Sequence, residues 1–67
     1  MPADIPFSEM LKILESRGWT LQRIAPPYRI FTKKDQLPIL IPVYDRMVRS
    51  TYVKKVAKIL EAQSENL

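Results

Sequence analysis

The only glycine of the chain, Gly18, separates two segments with different hydrophobic periods. Before it, apolar residues recur at three- and four-residue spacing, which predicts a helix over Phe7–Ser16. A glycine just past the last helical residue adopts a positive φ without strain, so Gly18 is expected to end this helix. After it, Trp19–Ala25 alternates between apolar and polar residues, as a strand does. The change from helix to strand at one residue predicts an α+β fold.

Two more strands are expected beyond Pro26 and Pro27, which cannot donate backbone hydrogen bonds and therefore favour a turn. Tyr28–Lys33 is β-branched and aromatic, which favours a strand. Lys33–Gln36 is a polar turn. Leu37–Val43, rich in Leu, Ile and Val, is the third predicted strand.

The third strand carries two prolines, Pro38 and Pro42, four residues apart. Because backbone N–H groups alternate sides along a strand, both missing donors fall on one edge. We therefore expect an edge strand whose prolines discourage further pairing. The alternative is that Leu37–Pro42 is a loop.

A second amphipathic helix follows the mixed-charge loop Tyr44–Arg49, with Ser50 or Thr51 as its cap and an end near Ala62. The predicted order is helix, three-stranded antiparallel meander, helix. Two such helices can cover one sheet face in a two-layer α+β domain and leave the other face to solvent or a partner.

The 67 residues are expected to form one domain, with loose ends at Met1–Pro6 and Gln63–Leu67. A chain this short is marginally stable alone, so a homodimer or a bound partner is a reasonable source of stability. Met1–Pro6 is neither basic nor long and apolar, so no secretion signal is expected. No apolar run approaches the roughly 20 residues of a membrane span, so no membrane partner is expected.

The net charge is +4, and the positive charge is concentrated in the central part of the chain. Between residues 17 and 58 only Asp35 and Asp45 oppose ten basic residues, which are Arg17, Arg23, Arg29, Lys33, Lys34, Arg46, Arg49, Lys54, Lys55 and Lys58. Such a distribution favours a polyanion such as nucleic acid, or an acidic protein. The alternative is a solvated surface that keeps a small protein soluble.

The chain has no histidine and no cysteine, which limits its chemistry. The commonest general base, the common nucleophile–base pairs and the usual zinc ligands are missing, so neither a metal nor a cofactor is expected. Asp35 in a turn and Asp45 in a loop have nothing to pair them as catalytic carboxylates, and Asp45 beside Arg46 and Arg49 suggests a local charge contact. The lack of cysteine fits a reducing cytoplasm.

Several short motifs are shared with a known family. Residues 14–19 read Leu-Glu-Ser-Arg-Gly-Trp, and the further matching features are Arg23, Phe31, Ile39-Leu40-Ile41-Pro42 and the amphipathic helix from Ser50. In these features the chain from Phe7 to Leu60 resembles the HicA-type toxins, the small mRNA-cleaving partners of HicB antitoxins. The resemblance implies a fold like that of double-stranded-RNA-binding domains.

The chain departs from this family at the active site. The family carries Gly, then Ser or Thr, then the catalytic His just before the second strand. Counted without gaps, those positions hold Pro26, Pro27 and Tyr28. Cleavage of this kind needs a group that exchanges a proton near neutral pH. Since a tyrosine side chain titrates near about 10, the family's activity is not implied for this chain.

The candidate nucleic-acid-binding residues are Arg23, Tyr28, Arg29, Lys33, Lys34, Lys54, Lys55 and Lys58. Tyr28 can stack on a base or contact a phosphate, or can simply pack across the sheet. The basic residues can follow a phosphate backbone along the meander and the second helix, or can be solvated. Trp19 is expected in the core.

The leading interpretation is a HicA-like domain that binds RNA without cutting it. One alternative is a ribonuclease that uses Tyr28 with nearby Arg or Lys. Another is a protein-interaction module that binds a HicB-like antitoxin or forms a homodimer.

Overall fold

The computed structural model describes residues 3–65, and the side chains of residues 3–63. In this part the elements are β1 (Ile5–Pro6), α1 (Phe7–Ser16), β2 (Thr20–Ala25), β3 (Tyr28–Thr32), β4 (Ile39–Pro42), β5 (Met47–Val48) and α2 (Ser50–Glu65). Strands β2, β3 and β4 form an antiparallel sheet in that order, and β1 pairs with β5 in a two-stranded sheet. The predicted α+β class, with a meander between two helices, is confirmed.

One face of the three-stranded sheet packs against both helices. The register places Phe31 of β3 opposite Leu21 and Ile39, so these apolar side chains share a face. A single buried cluster joins this face to the helices, and its members are Met10, Leu14, Trp19, Phe31, Ile39, Ile41, Val48, Val56 and Leu60. The two helices therefore form one layer and the sheet the other, as the sequence predicts.

The first helix has the predicted bounds and ends at the glycine. Gly18 has a φ of +87°, and its N–H donates to the Glu15 carbonyl at 3.1 Å. The Trp19 N–H donates to the Leu14 carbonyl at 3.0 Å. These two bonds form a Schellman motif, in which a left-handed residue satisfies the last carbonyl groups of a helix.

Strand β4 lies at an edge of the sheet, as the prolines predict. The Val43 N–H donates to the Pro27 carbonyl at 2.9 Å. Because N–H directions alternate along a strand, the Pro42 nitrogen faces away from β3, and no ladder bond is lost there. The strand is shorter than predicted, since it covers Ile39–Pro42 and leaves Pro38 ahead of it.

The second sheet lies in two segments for which the sequence predicts no regular structure, the loose end at Met1–Pro6 and the loop Tyr44–Arg49. Ile5 pairs with Val48, and Pro6 pairs with Met47. Ile5 and Pro6 are therefore part of the folded domain and not of a loose arm, and residues 1–2 lie outside the described residues. At the other end, α2 continues three residues beyond the predicted Ala62, to Glu65, and residues 66–67 are not described.

A tight turn joins β4 to β5. Tyr44 and Met47 form an antiparallel bridge with two mutual backbone hydrogen bonds, of 3.2 and 2.8 Å. The two residues between them, Asp45 and Arg46, have φ values of +51° and +63°. Two consecutive positive φ values define a type I′ turn, which usually contains Asn or Gly.

Residues far apart in sequence connect the two ends of the domain. The Asp4 carboxylate accepts a hydrogen bond from the Ser50 N–H at 2.8 Å, at the first residue of α2. Ser50 and Thr51 both lie inside the helix, so the predicted capping role belongs to neither of them. The acceptor is supplied by Asp4, which precedes β1.

Candidate nucleic-acid interface

The second face of the three-stranded sheet lies on the side away from the helices, and we call it the open face. Its residues follow from the strand register on both sides of a β-bulge between Leu21 and Arg23. They are Thr20, Gln22, Arg23, Ala25, Tyr28, Ile30, Thr32, Leu40 and Pro42. The set includes a cation, an aromatic ring and no acidic residue, a combination that suits contact with a polyanion carrying flat rings.

Tyr28 is the first residue of β3, the central strand. Its neighbours across the sheet, Ala25 and Pro42, are small, and the Tyr28 side chain is 41% exposed. Its hydroxyl has no hydrogen-bond partner among the described side chains. The ring is therefore partly exposed on the open face, beside the aliphatic side chains of Ala25 and Pro42.

Arg23 lies on the same face, directly opposite Ile30, which is two residues from Tyr28 on β3. Diagonal neighbours of this kind are about 7–8 Å apart in a sheet, within reach of long side chains. Arg23 is exposed, and no ion pair involves it in the described part of the chain. Its charge is therefore not neutralised within the fold.

The other basic residues of the meander do not continue this surface. Arg29 points to the helix side, where its guanidinium lies over the Phe7 ring at 5.1 Å from the centroid. The Lys33 Nζ donates to the Arg17 carbonyl at 2.8 Å, at the end of α1. Lys34 lies in the β3–β4 turn, at the opposite end of β3 from Tyr28. The predicted track of basic residues along the meander is therefore divided among separate surfaces.

The lysines of α2 form another surface. Lys54, Lys55 and Lys58 are exposed, and the Lys55 Nζ lies 5.1 Å from the centroid of the Tyr52 ring. They belong to the helical layer and the open face belongs to the other, so these lysines are not part of the open face.

Other sequence predictions concern single residues. Trp19 is 2% exposed and belongs to the core, as predicted, and its Nε1 has no hydrogen-bond partner among the described residues. The expected contact of Asp45 with Arg46 and Arg49 is absent, since no ion pair joins them within residues 3–63.

The described residues contain no group of three or more His, Cys, Asp and Glu side chains placed to hold a metal ion. Within the same part of the chain, neither helix has the length and apolar character required to cross a membrane.

One basic residue outside the predicted binding set lies at a cavity. Arg46 lines a cavity together with Arg29, although the two are 17 positions apart. No motif marks Arg46, because it lies in a turn whose sequence, Asp-Arg, lacks the usual Asn or Gly. The orientation of Arg29 toward the helix side can be predicted from the sequence. Adjacent residues of a strand point to opposite faces, and Tyr28 occupies the open face.

The chain was compared with protein-family models, with curated proteins and with solved structures, and none of them matches it.

Proposed function

We propose that this protein is a HicA-like domain that binds RNA on the open face of its sheet and does not cleave it. The observation that carries the proposal is the position of Tyr28. It occupies the start of the central strand, is 41% exposed, and lies on a face that includes Arg23 and no acidic residue. An exposed ring on a sheet is a platform on which an unpaired base can stack.

The neighbours of Tyr28 suit the same ligand. Arg23 supplies a guanidinium that can pair with a phosphate through two hydrogen bonds. Ile30 is partly exposed and Leu40 is 48% exposed, so both offer apolar contact to a second base or to a ribose. A stacking ring, apolar surface and one unneutralised cation favour single-stranded or looped RNA over a regular duplex, whose bases are stacked already.

Binding without cleavage follows from the groups around the phenol. A ribonuclease needs one group to take a proton from the 2′-hydroxyl and another to return a proton to the leaving oxygen. The Tyr28 hydroxyl has no hydrogen-bond partner among the described side chains, and the chain contains no histidine. Prolonged incubation of a long RNA with concentrated protein should leave the RNA intact, and specific fragments that disappear with Tyr28→Phe would establish the ribonuclease alternative instead.

Salt dependence tests the electrostatic part of the proposal. For the single phosphate contact that Arg23 offers, affinity for a hairpin RNA with an unpaired loop should fall about three-fold between roughly 50 and 200 mM salt. Arg23→Gln should reduce this salt slope by about one contact. The matched variant Lys12→Gln removes an exposed charge from α1 and should leave the slope unchanged. Binding that does not respond to salt contradicts the proposal.

A protein partner on the same face is the competing function. The exposed Leu40 side chain gives the open face an apolar component that also suits a protein contact. Mass measurement in solution and a pull-down from nuclease-treated extract would detect a homodimer or an antitoxin-like partner. The RNA proposal fails if such a partner blocks Tyr28 while RNA binds weakly and without dependence on that residue.

A further inference from the structure

A second surface with distinct chemistry lies on the helix side of the sheet. A cavity of about 400 Å³ opens between the start of α1, the start of β3 and the β4–β5 turn. Its main lining residues are Phe7, Ser8, Arg29, Val43, Arg46 and Met47. Two arginines and a serine line it together with apolar residues, and its described lining contains no Asp or Glu.

Arg29 is held in position by an anchored ring. Its guanidinium lies 5.1 Å from the centroid of the Phe7 ring. That ring packs at 6.2 Å and an interplanar angle of 47° against Phe31, which is fully buried. A cation over an aromatic face loses little freedom when it binds an anion, because the ring already restricts its orientation.

Arg46 is held by the main chain. Its φ of +63° fixes it in the type I′ turn, and its carbonyl accepts a hydrogen bond from the Phe7 N–H at 2.8 Å. Phe7 therefore contacts one arginine through its ring and the other through its backbone. This common contact positions the guanidinium of Arg29 and the backbone of Arg46 beside the cavity.

We propose that this cavity binds the phosphoryl group of a phosphate monoester. Arg29 and Arg46 both line the cavity, so a dianion bound there would meet two positively charged residues and no lining carboxylate. The planar donors of arginine match phosphate oxygens in pairs, and the Ser8 hydroxyl supplies another donor. The apolar walls formed by Val43 and Met47 suit the organic group that carries the phosphate. The site lies on the opposite side of the sheet from Tyr28, so it does not depend on the RNA proposal.

Inorganic phosphate is the first probe. Titration of ¹⁵N-labelled protein at constant ionic strength should give saturable chemical-shift changes at the Ser8 amide and at the Nε–H of Arg29 and Arg46. Sodium chloride at matched ionic strength should not produce them. Arg29→Gln and Arg46→Gln should each weaken binding at least ten-fold, whereas Lys34→Gln, the same charge loss at the far end of β3, should change it less than two-fold. Phosphate that binds no better than chloride, or an equal loss in Lys34→Gln, overturns the proposal.

Arg46→Gly tests the site in a variant that is expected to fold. It removes the guanidinium and places at this positive φ the residue that adopts it most easily. We expect a folded variant with at least a ten-fold loss of phosphate affinity, and a folded variant with unchanged affinity contradicts the site.

Two ligands with a phosphate monoester distinguish the sources of that group. A small sugar phosphate that binds tighter than inorganic phosphate supports a metabolite-sized ligand. An oligonucleotide that binds more tightly with a 5′-phosphate than without one, in a manner abolished by Arg46→Gly and retained in Tyr28→Ala, supports an RNA end as the source. The proposal fails if neither ligand responds to Arg46→Gly.

Discussion

The carboxylate of Asp4 accepts a hydrogen bond from the backbone N–H of Ser50 at 2.8 Å, across 46 positions of the sequence. Ser50 is the first residue of α2, and an N–H there has no acceptor within its own helix. The segment before the first strand therefore caps the last helix. This bond and the pairing of β1 with β5 join the N-terminal segment to the C-terminal half of the domain.

Removing this cap should destabilise the protein. Asp4→Ala is expected to lower the free energy of unfolding by about 1 kcal/mol, the usual cost of a lost helix N-cap. Asp4→Asn keeps an acceptor oxygen and should lose less. Urea unfolding followed by circular dichroism measures both. An Asp4→Ala variant as stable as the wild type would show that the bond contributes nothing in solution.

Gly18 should resist replacement because of its backbone conformation. Gly18→Ala places a Cβ on a residue at φ +87°, at 3.4 Å from the Lys33 Cε. The left-handed conformation alone costs an L-residue about 1–2 kcal/mol, which should appear as a lower midpoint of chemical unfolding. Gly18→Asn is the control and should lose less, since asparagine tolerates this conformation better than alanine. Equal losses in the two variants would mean that backbone conformation is not the cause.

Tyr28 should contribute to RNA binding through its ring. Tyr28→Ala is expected to weaken binding to a looped RNA by about 1–3 kcal/mol, the usual value of one stacked base. Tyr28→Phe keeps the ring and should bind within about two-fold of the wild type, because stacking does not need the hydroxyl. Fluorescence anisotropy measures both affinities. If the two variants lose affinity equally, the hydroxyl and not the ring makes the contact.

Arg46 should be a position at which glycine increases stability. Its φ of +63° is unfavourable for a residue with a side chain. Relief of that strain exceeds the added entropy of glycine in the unfolded chain, so Arg46→Gly is expected to raise the free energy of unfolding by about 0.5–1 kcal/mol. Arg46→Ala keeps the strain and serves as the control. Thermal unfolding should separate the two variants, and a less stable Arg46→Gly would contradict this account of the turn.

The sequence predicts the larger elements well because their signals are strong. The apolar stripe and Gly18 together define both ends of the first helix. Pro42 identifies the edge strand, because a missing N–H is tolerated only where no neighbour needs it. Strands β1 and β5 were missed since each has two residues, too few for any periodicity to show. Long-range backbone contacts hold these strands in place, and local propensity does not encode such contacts.

The candidate sites likewise include features that local sequence predicts and features that depend on long-range contacts. Composition identifies a basic chain, and alternation places Tyr28 and Arg23 on one face. Neither reveals that Arg29 and Arg46 border a common cavity, because that depends on a turn with an unusual sequence and on the Phe7 N–H bond to it. Lys33 counted as a candidate ligand for phosphate, yet its ammonium binds a carbonyl at the end of α1.

The two edge strands of the three-stranded sheet, β2 and β4, prevent the addition of a further strand in different ways. On β4, the nitrogen of Pro42 faces outward and offers no donor, while β2 is interrupted by the bulge between Leu21 and Arg23. Neither edge strand presents a long, regular row of peptide groups to a neighbouring molecule. Neighbouring copies at high concentration would therefore lack a template for intermolecular β-sheet, the usual first step toward fibrils.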